Sequence, residues 1–91
     1  MKVRKVKVLG RTYKVKYMTK AQIIKNVGYH AYGYCDNENE VIVVDKELGE
    51  KMKLRTFKHE VCHAAMHVVG LDQVISSELQ EILAETFSNL I

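Results

Sequence analysis

The hydrophobic pattern of this chain changes period once, near residue 46, and that change limits the folds open to it. Before it, Val6, Val8, Tyr13, Val15 and Tyr17 project one way while Lys5, Lys7, Lys14 and Lys16 project the other, the two-residue period of half-buried strands. After it, Leu54, Phe57, Val61, Ala64, Ala65 and Val68 fall within about 100° of one another on a helical wheel. Strand pairs followed by long amphipathic helices make an α+β fold. The expected form is two hairpins in one small antiparallel sheet, with the helices packed against one of its faces.

Local signals set the boundaries. Gly10 between Leu9 and Arg11 predicts a tight turn joining strands at about 2–9 and 11–18. Thr19 can cap a short helix over 20–26, with Gly28 as its left-handed stop. YHAYGYC (29–35) and VIVVD (41–45) read as two further strands, joined by the polar turn DNENE, whose short side chains bond their own backbone. A helix is expected over about 47–69, ended by Gly70. Ser77 and Gln80 have capping-box spacing. The stripe Leu79, Ile82, Leu83, Thr86, Phe87 and Leu90 then carries a last helix to the C-terminus.

No proline, repeat or low-complexity linker interrupts the 91 residues, so a single domain over 1–91 is expected. Apolar runs such as 41–44 fall far short of the ~20 residues that span a bilayer. The basic N-terminus is followed by alternation rather than the apolar core of a signal peptide, which points to a cytoplasmic protein without membrane contact. Two cysteines, one of them inside a histidine-rich segment, do not make a disulfide framework. Residues 1–20 hold eight Lys or Arg and no acid, while the remainder holds six bases and eleven acids. The lysines read first as the solvated face of a hairpin that discourages edge-to-edge pairing. A nucleic-acid surface is the lesser alternative.

Chemistry concentrates in TFKHEVCHAAMH (56–67). His59 and His63 stand one helical turn apart, ~5–6 Å at Cβ, so both imidazoles can reach one ion at ~2.1 Å. His67 lies about 12 Å along the axis from His59, too far to share it. Glu60 completes a His-Glu-x-x-His arrangement that sets a carboxylate beside the metal, where it can take a proton from a polarised water. On the wheel His59, Glu60, His63 and His67 share a sector facing away from the core. Zinc with three protein ligands keeps one position open for water and lowers its pKa toward 7.

The third ligand is open on spacing alone. Val69 stands where a metzincin has its third histidine. Glu78, Glu81 and Glu85 all lie on the polar side of the last helix, and any of them could serve. TFKHEVCHAAMH, with EILAETFSNLI after a short loop, resembles the small gluzincin-type metallopeptidases of the ImmA/IrrE group and their compact relatives from phages and mobile elements. The resemblance implies a minimal zincin-like fold and a regulatory peptidase. Its Glu-x-x-Ala-acid-x-Phe pattern, matched by Glu81, Ala84, Glu85 and Phe87, implies Glu81 as third ligand. Glu85 takes the position that can orient a ligating histidine and is the alternate ligand.

A zincin cleft binds an extended peptide along a strand above the motif helix, here 29–35 or 41–45. Tyr29, His30, Tyr32, Tyr34 and His67 are candidates for stabilising the oxyanion. The expectation is a zinc peptidase with protein or peptide substrates. The alternative is a noncatalytic metal-binding, or nucleic-acid- or protein-binding, module using the basic hairpin.

Overall fold

The computed structural model describes residues 3–90. The chain runs β1 (Lys5–Val8), β2 (Arg11–Met18), α1 (Lys20–Val27), β3 (Gly33–Asp36), β4 (Val41–Asp45), α2 (Glu50–Val68), a 3-10 turn at Leu71–Gln73, and α3 (Ser77–Ser88). It is an α+β fold with one four-stranded sheet. The ends of the first expected strand, at Lys2, and of the last expected helix, at Ile91, lie outside the described residues.

Both hairpins form. Leu9 and Gly10 both take positive φ, 49° and 88°, which is the type I′ turn whose twist suits the flanking strands. β1 pairs antiparallel with β2, and β3 with β4. The sheet as a whole is nevertheless mixed rather than antiparallel. Its order is β1-β2-β4-β3, and β2 and β4 run parallel, Val15 beside Ile42 and Tyr17 beside Val44. The reason is the α1 crossover: it returns the chain so that β4 enters the sheet in the direction of β2, leaving β3 at the edge. The expected strand 29–35 is shorter, because residues 29–32 form a bent approach to β3.

Alternation then fixes the two faces of the sheet. Val8, Tyr13, Ile42 and Val44 form the core with Ala64 of α2, and Val6, Tyr17, Cys35, Phe57 and Val61 pack around them. Each of the fully buried Tyr13, Ile42 and Val44 contributes about 1.5–3 kcal/mol relative to exposure. On the other face Asn26 of α1 donates to the Tyr34 hydroxyl (3.1 Å) and reaches the Met18 sulfur. The β3–β4 end of that face is thereby covered, with Ile23 and Val43 buried. Thr19 caps α1 as expected, exchanging both bonds of a capping box with Gln22, an arrangement whose cap alone contributes about 1 kcal/mol.

The helices form successive layers. α2 lies on the sheet, and α3 packs chiefly on α2 instead of sharing the sheet face with it. This corrects the apolar stripes expected from spacing. Leu54 is exposed, as are Leu79, Ile82, Phe87 and Leu90, while small Ala84 and Ser88 are the buried residues of α3. A helix that touches only another helix buries the narrow seam of small residues between them, so all of its expected stripe except Leu83 is left outside. The cap of α3 is Ser76, one residue before the expected Ser77; its hydroxyl accepts from Leu79 N–H at 3.1 Å. Either serine can cap, and the earlier start adds a bond from Gln80 N–H to the Ser76 carbonyl.

Gly33 makes the α2–β3 approach close. A Cβ there would stand 2.5 Å from the Val43 carbonyl oxygen and 2.7 Å from Thr56 Cγ2, so any side chain would push the strand off the helix. Among the described residues no helix is long and apolar enough to cross a membrane.

Candidate metal centre

α2 carries the motif on an unbroken helix, and the seam with α3 decides which acid meets it. His59 Nε2 lies 3.1 Å from Glu81 Oε2, His63 Nε2 lies 2.8 Å from Glu81 Oε1, and the two Nε2 atoms are 3.2 Å apart. Three electron-pair donors thus face one point. One ligand atom from each of the three lies within 4.8 Å of the others, close enough for a tetrahedral ion with ligands at ~2.0–2.1 Å to draw them together. His59, His63 and Glu81 are also the group of potential ligands found close together among the described residues.

Glu85, one turn after Glu81, takes the other ring nitrogen of His59: Oε1 to Nδ1 is 2.7 Å. Arg55 donates to the second oxygen of Glu85 at 3.0 Å. The Arg55 hydrogen bond, followed by the bond to His59, holds the Glu85 carboxyl below its usual pKa. An anionic Glu85 fixes the proton of His59 on Nδ1 and turns the Nε2 lone pair inward, the usual support of a ligating histidine. The relay Arg55–Glu85–His59 makes Glu85 an orienting residue rather than a member of the donor trio. Among the described residues, Glu78, the third acid considered, makes no hydrogen bond or ion pair with either histidine.

Glu60 departs from the wheel. It is 7% exposed, not turned to solvent, on a helix against which β3 packs closely, with Gly33 seated by Thr56 one turn earlier. Burial pushes its carboxyl up to about 7, with Glu81 adding to the rise and His59 opposing it. Burial likewise holds the His63 imidazole below its ordinary value, against the pull of Glu81. A neutral imidazole offers the lone pair that a metal needs. The thiols do not compete as donors or nucleophiles: Cys35 and Cys62 are free, and burial raises both, Cys35 to about 12.

His59, Glu60, Glu81 and Glu85 form one wall of a cleft of about 830 Å³, whose opposite wall is the segment 29–33. Of the oxyanion candidates Tyr29, His30 and Tyr32 line this cleft. Tyr34 and His67 do not. The Tyr34 hydroxyl is bound by Asn26 on the far face of the sheet, and His67 Nδ1 pairs with Asp72 at 2.6 Å. His30 is held from behind by Asp45, Oδ2 to Nε2 3.1 Å, and Asp45 is itself buried and accepts from Glu47 N–H. Sequence reasoning missed Asp45 and Arg55. An acid closing the apolar strand VIVVD was the available signal for the first; nothing local marks the second. Of the two strands considered for peptide binding, β4 is interior with both sides paired, which removes it. β3 has a free side, and its first residue stands in the cleft wall.

Compared with known proteins, the chain matches no family model, no curated protein and no solved structure.

Proposed function

We propose that this chain is a zinc-dependent peptidase in which His59, His63 and Glu81 hold the ion and Glu60 is the general base. The observation that carries this reading is the convergence of His59, His63 and Glu81, each with a ligand atom within 4.8 Å of the others, with a buried carboxyl beside them in an open cleft. A bound zinc ion supplies the Lewis acidity that brings the pKa of water toward neutrality.

The remaining work falls to the chain. Glu60, buried beside the ligands, takes a proton from water and returns it to the leaving amine. Burial keeps it close to its task. Glu85 and Arg55 keep His59 in one tautomer. An extended peptide adds to the free side of β3 through backbone hydrogen bonds, the mode that needs an unpaired strand. A neutral His30 that donates Nε2–H to Asp45 presents only an acceptor at Nδ1, so of the three cleft candidates the Tyr29 and Tyr32 hydroxyls are the ones that can donate toward the developing oxyanion. By the resemblance already noted, the chain is a regulatory peptidase of phage or mobile-element type that acts on a protein or peptide in the cytoplasm. Two unpaired thiols suit such a reducing compartment.

The test is zinc content and peptide cleavage in the wild type and in Glu60→Gln. Zinc retained at one equivalent with cleavage down by about 10²–10⁴ supports an enzyme. Zinc bound by both, with no cleavage by either, leaves the noncatalytic metal-binding module; no zinc in the wild type removes both readings.

A further inference from the structure

The face of the β1–β2 hairpin turned away from α2 carries Lys5, Lys7, Lys14 and Lys16, all exposed, with exposed Thr12 among them. Register puts Lys5 directly opposite Lys14, and Lys7 opposite Thr12. Residues two apart on a strand are separated by about 6.8 Å, and directly opposed pairs by about 5 Å. Four ammonium groups therefore share one small patch, and like charges set directly opposite destabilise a sheet. Among the described residues none of the four has an acidic partner. Glu40, the acid near the hairpin turn, is engaged by Arg11 at 2.7 Å.

Protection of a sheet edge does not account for this patch. Lysines on an outer strand block pairing with other chains, which covers Lys5 and Lys7 on β1. Lys14 and Lys16 lie on β2, whose two sides are already paired with β1 and β4. Their charge guards no edge. The concentration of positive charge on an interior strand fits an anionic partner that relieves the repulsion.

We propose that this lysine face docks the phosphate backbone of double-stranded nucleic acid without reading its sequence. Lysine supplies point charges to phosphates rather than the planar fork that reads a base edge, and the Thr12 hydroxyl can add a hydrogen bond to a phosphate oxygen. The patch has no aromatic side chain on which unpaired bases could stack, which disfavours a single strand. The one large exposed apolar side chain of this hairpin, Leu9 at its turn, is too small an anchor to hold a bilayer, which disfavours a lipid surface. The cleft lies on the α2 side of the sheet, so a duplex on this face leaves the cleft open. The inference is independent of the metal.

The experiment is fluorescence anisotropy of a labelled duplex of roughly 20 base pairs between about 50 and 200 mM salt, with the full chain. Four phosphate contacts predict a slope of log K against log salt of about −3.6, and Lys14→Gln with Lys16→Gln should flatten it by about 1.8. Circular dichroism and zinc content should match the wild type in that variant. A Lys14→Glu, Lys16→Glu chain should lose binding altogether at the lower salt. An unchanged slope in the glutamine variant, no duplex binding at the lower salt, or tighter binding to phosphatidylserine vesicles at equal phosphate would each overturn the proposal.

Discussion

His63 and His67 sit one turn apart on the same face of the same helix, each beside a carboxylate, yet they end in different chemistry. His63 is folded under α3 and meets Glu81, which also reaches His59. His67, beyond the end of that seam, turns to Asp72 only five residues away and leaves 39% of its side chain exposed, against 16% for His63. One helical period thus produced a cluster of donors at one end of α2 and a local pair at the other. The difference comes from what stands over each turn. Donor trios need a second element to bring the third group; a pair needs only the loop that follows.

That contrast orders the expected effects of substitution. His63→Ala or Glu81→Ala removes a donor from the trio and should weaken zinc binding by about three hundredfold, a third of a binding free energy on the order of 10 kcal/mol. Isothermal titration with a competing chelator reads it directly. A loss of the same size in His67→Ala would erase the distinction between the two ends.

The metal-free protein should show the buried end through pH. Glu60 has its folded-state pKa raised to about 7 by burial, so the folded state holds a proton that the unfolded chain has released above its ordinary carboxylate pKa. Stability should therefore be highest below about pH 4.5 as far as this group is concerned. It should fall as pH rises toward 7 and then level off, with a span on the order of 3 kcal/mol. Urea midpoints of the metal-free wild type and Glu60→Gln at several pH values measure it, and the variant should lack the slope.

Next in size is the brace. Glu85→Gln leaves the trio intact but releases His59 Nδ1, and should weaken zinc binding about 10–100-fold, again by titration. The smallest effect belongs to the local pair: His67→Gln should leave zinc affinity within about twofold and lower stability by about 1 kcal/mol, read by urea unfolding.

The two histidines, their glutamate and the helix that carries them could be read from sequence because they are local: one turn, one period, one motif. Glu81 and Glu85 were narrowed by spacing and separated only by pattern, since which acid faces α2 depends on how the helices cross. The burial of Glu60 had no signal, for the residue sits at the border of the apolar stripe and the packing of β3 on α2 is not local in sequence. Strand pairing behaved alike. Both hairpins followed from alternation and turn residues, but alternation is blind to which strand becomes the neighbour of another hairpin, so the parallel β2–β4 pair was not foreseen. That pairing made β3 an edge and put Lys14 and Lys16 on an interior strand.

The central claim is that two imidazoles of α2 and one carboxylate of α3 hold one zinc ion. Diffraction from zinc-loaded crystals on either side of the zinc absorption edge tests it most directly. The account predicts one anomalous peak at ~2.0–2.2 Å from His59 Nε2, His63 Nε2 and a Glu81 oxygen, with Glu85 still on His59 Nδ1. A peak between His67 and Asp72 instead, or none within reach of all three donors, would contradict it.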